Sequence, residues 1–353
     1  MREKLILYVI ILLVSITILE IIFSKILKLK IYNFKDTIGN LIQGLGQQSI
    51  NIILFTAIIA IYEYIYSHFS IFNINQSQIT LWILIIFLAD LCFYIGHKSS
   101  HNINIFIATH IVHHQTKDFN HGSALRQSWT GRLGMTLFYL PLAIIGFPTE
   151  MLIVAQLGIM VIQFLSHNGI LKSKLGPLEY LFVTPSSHRI HHGINSKYIS
   201  KNCGGMFIIW DKLFNTYAEE DEPIIYGIKS ELNYYNPINA NTDYFKRIFF
   251  VFHKRVGLIN KIKILFQSPS ILEKELIKYN YNEIKYKNIS GNITPLNKLK
   301  ILILTTLSIS ILVVSLARSS NSTIIEKIIT ITLVIIIISF IGKLLNLKTS
   351  SDS

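Results

Sequence analysis

Apolar residues in this chain gather in long unbroken runs at 5–23, 49–66, 79–96, 299–317 and 323–343, with polar residues held in the intervals. A helix crossing a bilayer needs about 20 apolar residues, so each run predicts one spanning helix. Two shorter runs, 133–147 and 150–166, meet at Gly146-Phe147-Pro148. They predict either two further spans or a hairpin that dips in and returns. The first run follows Arg2 and Lys4 but is long and has no small-residue cleavage site, so it reads as a retained anchor. Glu20 and Glu63, near the ends of runs, read as interfacial residues.

Composition supports the same class. Of the 353 residues 51% are hydrophobic and only 15% charged, too apolar for an ordinary soluble domain. The formal charge of +13 fits loops lying against anionic lipid better than nucleic-acid binding, because the basic residues are scattered. Lys25, Lys28, Lys30 and Lys35 follow the first run, while 67–78 has no Lys or Arg. Lys98, Lys117, Arg126 and Arg132 follow the third run, 147–150 has none, and 167–298 is rich in Lys. This alternation predicts seven crossings with the N-terminus outside and the C-terminus inside. The fold class is therefore an all-α polytopic membrane protein of about seven transmembrane or re-entrant helices. The chain divides into N-terminal spans (1–78), a histidine-box domain (79–237), a basic cytoplasmic connecting segment with some helices near the membrane (238–298), and C-terminal spans (299–353). Cys92 and Cys203 make no disulfide framework. The sequons at Asn75, Asn288, Asn292 and Asn321 are what chance gives an Asn-rich chain. Abundant Ile, Lys and Asn fits an AT-rich bacterial genome, hence an inner membrane.

The polar residues that stand out are histidines. Ten of the twelve fall between 97 and 192. His97 and His101 are four apart; His110, His113 and His114 are spaced zero, three and four; His188, His191 and His192 repeat that spacing. Residues three and four apart share a helix face, so each group presents imidazoles to one side of a turn. His167 ends the run at 150–166 at the same membrane face. Imidazole is the commonest neutral metal ligand, and a metal takes three or four such ligands. Eight or nine histidines at one depth suit two metals.

Asp90 lies seven residues before His97, on about the same helix face. An ionisable group inside a span is expensive, and a metal-bound histidine donates its second N–H to a carboxylate or carbonyl. Asp90 is therefore expected to support a ligand. Arg126, close after the second box, is a candidate contact for a lipid head group or a reductant. Arg189 reads as packing. In "GGMFIIWDKLFNTY" the glycines, Trp210 and Asp211 suggest a tight turn beneath the site.

"DLCFYIGHKSSH", "THIVHHQTKDFNHGSALRQS", "SHN" and "TPSSHRIHHGINSKYISKNCGGMFIIWDKLFNTY" together resemble the histidine boxes of the fatty acid hydroxylase/sterol desaturase superfamily: HxxxH, HxxHH, an isolated His, then HxxHH. The flanking words over about 86–237 resemble its alkylglycerol monooxygenase-like branch. The resemblance implies that His97, His101, His110, His113, His114, His188, His191 and His192 are iron ligands, with His167 a ninth or a close neighbour. It implies two Fe ions, O2 as co-substrate and a lipid substrate. The branch would add tetrahydrobiopterin, but it carries a glutamate directly after the second histidine of the first box, where this chain has Asn102. His121 stands where the branch has an apolar residue and is taken as a non-ligand. His68 and His253, outside every box, are taken as loop residues.

The expected reaction is O2-dependent hydroxylation of a lipid chain, with sterol or fatty-acyl desaturation as the alternative in the same superfamily. No GxGxxG after a strand, CxxCH or ferredoxin-type cysteine set is present, so electrons come from an external donor such as a reductase, cytochrome or ferredoxin. The basic stretch 229–298 would attract an acidic carrier or face lipid. A membrane metal transporter is the reading from another class. It is disfavoured because the histidines cluster at one face and do not line a path across the bilayer.

Overall fold

The computed structural model of the chain describes residues 2–228, 235–281, 293–318 and 322–346. The sequons at Asn288, Asn292 and Asn321, parts of the basic stretch 229–298 and the last seven residues lie outside them. Regular structure among the described residues is helical, apart from isolated antiparallel bridges at Phe182–Phe207 and Gly193–Tyr226. In chain order the helices are α1 (Arg2–Ile26), α2 (Phe34–Phe69), α3 (Ile79–Asn102), α4 (Asn104–Ala108), α5 (Ile111–His114), α6 (His121–Ala124), α7 (Gly131–Ile145), α8 (Thr149–Ser166), α9 (Pro185–His191), α10 (Ile209–Leu213), α11 (Pro237–Lys254), α12 (Leu258–Phe266), α13 (Pro269–Lys278), α14 (Pro295–Ala317) and α15 (Ile324–Leu345). His68 and His253 lie in the last turns of α2 and α11, not in loops.

Five helices, α2, α3, α8, α14 and α15, are long and apolar enough to cross a bilayer. Many of their large apolar side chains face outward, among them Ile83, Leu84, Leu302, Ile303, Ile336 and Phe340. An exposed apolar surface of that extent belongs against lipid, and the chain is an integral multi-pass membrane protein.

Two apolar cores hold the bundle. α14 and α15 pack against the first part of α2 through Ile42, Leu45, Ile301, Leu312, Ile338 and Ile341. The end of α2 joins α3, α7 and α8 through Tyr62, Ile85, Ala89, Leu142, Met151 and Ile159. α2 begins fifteen residues before its apolar run, and its early polar residues are buried rather than solvated. Gln43 accepts from Asn241 Nδ2 at 2.8 Å, and Asn40 donates to Thr116 at 3.5 Å. α2 thus starts inside the polar cap and ends among apolar side chains.

The two short runs form two helices joined by a turn, and each packs against α3. Gly146 turns the chain at φ 113°, and a Cβ there would fall 1.9 Å from the Phe72 carbonyl oxygen. The N–H groups of Ile71 and Phe72 donate to the carbonyls of Ile144 and Ile145, at 2.8 and 3.1 Å. The α7–α8 turn therefore lies level with the α2–α3 connection. At 15 residues α7 rises only about 22 Å, short of a full hydrocarbon core of about 30 Å.

Candidate metal centre

Four pieces of backbone deliver the histidines to one end of the bundle. The last turns of α3 carry His97 and His101. The chain breaks to extended backbone at Ile103, turns through α4, and reaches His110 as the N-cap of α5, which holds His113 and His114. His167 caps the C-terminus of α8. α9 begins with a capping box in which Thr184 and Ser187 satisfy each other's backbone N–H, with Pro185 in the first turn. That start fixes the seven-residue helix bearing His188 and His191, and His192 closes it.

The side chains form two groups. In each, the facing nitrogens all lie within 4.8 Å of one another: His97, His101, His110, His114 and His191 in one, His113, His167, His188 and His192 in the other. The groups abut, with the rings of His114 and His192 4.4 Å apart between centroids. Each HxxHH box is split. In the second box the i,i+4 pair His110 and His114 joins the first group and His113 the second; in the last box His188 and His192 join the second group and His191 the first. The first box keeps His97 and His101 on one side as expected, and each HxxHH box keeps two imidazoles on one side while its third crosses to the other group.

Four rings are held from behind by backbone carbonyls. Nδ1 of His97 meets the Cys203 oxygen at 2.9 Å, His113 that of Arg126 at 2.9 Å, His167 that of Gln163 at 2.7 Å and His191 that of Lys201 at 3.0 Å. A carbonyl only accepts, so Nδ1 carries the proton and Nε2 turns a lone pair inward. The Nε2 atoms then crowd one another: His97 to His110 at 3.1 Å, His110 to His114 at 3.0 Å, and His188 to His167 and to His192 at 3.2 Å. Nε2 of His101 and of His191 is buried without a hydrogen-bond partner. Burial pushes His113 down to about 4 and His191 to about 3. Burial and then the neighbouring imidazoles hold His110, His114 and His192 well below the ordinary histidine value. Neutral imidazoles whose ring nitrogens converge this closely, two of them with no hydrogen-bond partner, form a donor arrangement that cations would complete. The donor set therefore fits two metal ions.

Asp90 is fully buried on the face expected, but its partners are not histidines. It accepts from the N–H of Met206, from that of Phe207 at 3.0 Å and from Trp210 Nε1 at 2.9 Å. A Cβ at Gly205 would stand 2.4 Å from its Oδ1, so glycine lets the carboxylate approach. Asp211 completes the clamp, accepting from the N–H of Cys203 and Gly204 at 2.8 and 2.7 Å and from Thr216 at 2.6 Å. The turn these two carboxylates grip includes Cys203, whose carbonyl holds His97, and follows Lys201, whose carbonyl holds His191. Arg126, also buried, donates to the Val112 carbonyl at 2.9 Å and to Gln115 at 2.6 Å, while its own carbonyl holds His113. It braces α5. Arg189 is tied to Glu220 and the carbonyls of Leu171 and Lys172.

Other contacts carry no signal in the sequence. Glu20 is buried, not interfacial; it accepts from Tyr32, from the N–H of His121 at 2.8 Å and from that of Gly169 at 2.7 Å. It fastens α1 beside His167, whereas Glu63 is exposed. His121 lies outside both groups, with Nδ1 on the Phe164 carbonyl at 3.1 Å. Asn102 is exposed and donates to the Lys98 carbonyl at 2.7 Å.

A family model for fatty acid hydroxylase matches residues 82–216. Alkylglycerol monooxygenase of Homo sapiens is 32% identical over 257 residues, 72% of this chain and 57% of that protein. The Danio rerio alkylglycerol monooxygenase is 32% identical over 234 residues, 66% of this chain and 52% of that protein. Ornithine lipid hydroxylase OlsE of Rhizobium tropici is 27% identical over 156 residues, 41% of this chain and 43% of that protein. The chain spans about half the length of the curated relatives it matches. No solved structure matches it. Residues 82–216, which carry all nine of the grouped histidines, are the part of the chain that matches the fatty acid hydroxylase family.

Proposed function

We propose that the protein is a di-iron, O2-dependent monooxygenase that hydroxylates the hydrocarbon chain of a membrane lipid. The observation that carries this reading is the pair of abutting groups of buried, neutral imidazoles at one end of an apolar bundle. His97, His101, His110, His114 and His191 would hold one ion, and His113, His167, His188 and His192 the other. When bound, the irons supply the activation of O2 that attack on an unactivated C–H bond requires. The protein's part is to hold the imidazoles in one tautomer through the carbonyls behind them, to keep water out by burial, and to place the lipid. His101, His110 and His114 are half-buried while all four members of the second group are buried, which favours the edge of the first group as the approach for the lipid chain. Hydroxylation inserts one oxygen atom of O2 into a C–H bond and releases the other as water. It consumes two electrons and two protons, and the electrons come from an external carrier.

The alkylglycerol monooxygenase relatives favour an ether lipid as a second reading of the substrate. Asn102, an exposed amide where the branch carries a glutamate, argues against a pterin as reductant. Desaturation is the alternative outcome of the same site. A transport role would need ligands strung along the bundle, whereas these close on one another.

Lipid mass spectrometry of cells with and without the protein, grown under 16O2 and 18O2, tests the reading. A lipid that gains one 18O atom only when the protein is present is expected. A product two hydrogens lighter and unlabelled would replace hydroxylation by desaturation, and an ether lipid lost to aldehyde and glycerol products would establish ether cleavage.

A further inference from the structure

Beyond the metal centre, α11, α12 and α13 form a small unit with its own core: Tyr244, Ile248, Val251, Ile264, Leu272 and Leu276 close around Ile107 and Ala108 of α4. α12, "LINKIKILF", buries Ile264 completely but leaves Leu258 at 68%, Ile259 at 72%, Ile262 at 42% and Phe266 at 61% exposure. At about 100° per residue these four positions span one stripe roughly 100° wide. Lys261 and Lys263 fall on its two flanks. Val256 and, on the neighbouring helix, Phe249 are likewise exposed.

Charge says what covers this stripe. Residues 237–281 contain eight Lys and Arg against three Asp and Glu. The three carboxylates are taken: Asp243 by Lys246, Glu273 by Arg247 and Glu275 by Arg255. Lys254, Lys261, Lys263, Lys274 and Lys278 have no carboxylate partner among the described residues. An apolar stripe edged by unpaired lysines matches the boundary between acyl chains and anionic head groups. The unit also begins where a spanning helix ends. Asn104, two residues past α3 and fully buried, donates its side-chain N–H to the Ile264 carbonyl at 2.8 Å and its backbone N–H to the Gln267 carbonyl at 3.0 Å.

We infer that α12 docks in the head-group layer of an anionic leaflet, with Leu258, Ile259, Ile262 and Phe266 toward the acyl chains and Lys261 and Lys263 against lipid phosphates. Asn104 holds α12 through the Ile264 carbonyl and α11 through Tyr244, which donates to it at 2.9 Å, so the docked helix is bound directly to the connection between the first histidine box and the second. The surface is distinct from the metal centre and does not depend on the reaction proposed for it.

The full chain, reconstituted in liposomes of phosphatidylcholine with or without phosphatidylglycerol, tests this with a bimane label at Ile259→Cys or Phe266→Cys, the unsubstituted chain giving the background from Cys92 and Cys203. Spin-labelled lipid is expected to quench both labels and aqueous iodide to leave them alone, while a label at Lys274→Cys behaves oppositely. Lys261→Glu with Lys263→Glu is expected to weaken quenching at Phe266→Cys in the anionic liposomes by several-fold. Labels at 259 and 266 open to iodide and insensitive to spin-labelled lipid would overturn the proposal. Shielding that persists in detergent and rises with protein concentration would also overturn it, because a second copy of the chain would then cover the stripe.

Discussion

Successive residues on a helix point about 100° apart while i and i+4 differ by only about 40°. His113 and His114 therefore diverge, as do His191 and His192, and each HxxHH box feeds both groups. Removing His191, which rides on α9 with two members of the second group, should weaken the first group's hold on its ion without touching the second. His113→Ala should do the reverse. After a chelator challenge, elemental analysis of purified protein should show metal falling from about two ions per chain toward about one in either variant, since the depleted group holds its ion with one imidazole fewer. His68→Ala, exposed at the end of α2, should keep the full content. A His191→Ala protein that retains both ions would remove that residue from the ligand set. The nine ring positions were legible in the sequence because imidazole clusters are rare and helical spacing is regular. Their partition was not, since it depends on how α5 and α9 face each other across a gap that no local pattern records. Glu20 was misjudged for the same reason: its partners, the N–H groups of His121 and Gly169, lie 101 and 149 residues away.

At the scale of an element, the turn at 201–207 shapes the first group. It supplies two carbonyls that fix imidazoles, and it has no regular helix to hold it in place. Two buried carboxylates hold it instead, Asp90 from α3 and Asp211 from α10. The glycine-rich word was visible in the sequence as a tight turn, whereas Asp90, on the face of His97, was expected to support a histidine directly. What remained hidden was that the carboxylate's partners are backbone N–H groups, which every residue but proline carries and which leave no mark in composition. Hydrogen bonds to a charged acceptor contribute about 1.5–3 kcal/mol each. Loss of a supporting contact behind a metal ligand typically weakens metal binding about 10–100-fold. Asp211→Asn keeps the shape, removes the charge and turns an amide toward N–H donors. It should weaken metal binding by that factor in a chelator competition, while helical content and membrane insertion stay as in the parent. Unchanged affinity would mean that the turn holds its form without the charge, and the clamp would lose its role.

Across the whole molecule, charge and architecture separate along one axis. The α2–α3 and α7–α8 connections meet through the Ile71 and Phe72 hydrogen bonds, and neither 69–78 nor 146–148 contains a Lys or Arg. The metal centre, with Lys98, Arg132, Lys172 and Lys174 around it in sequence, occupies the other end of α3 and α7. Loops rich in Lys and Arg are retained on the cytoplasmic side during insertion, so the two uncharged connections should face outward and the histidines inward. The long apolar runs made this asymmetry readable in advance, although α7 is shorter than a full crossing and is accommodated by the connection that meets its end. Cysteines introduced at Asn75 and at Lys174 separate the two orientations. In intact cells a membrane-impermeant maleimide should label Asn75→Cys, and it should label Lys174→Cys only after the membrane is opened. Cys203 is buried and Cys92 sits within the bundle, so the unsubstituted chain should give a low background. The opposite pattern would put the centre on the outer face, beyond the reach of a cytoplasmic electron carrier, and the external donor would then have to be sought on that side.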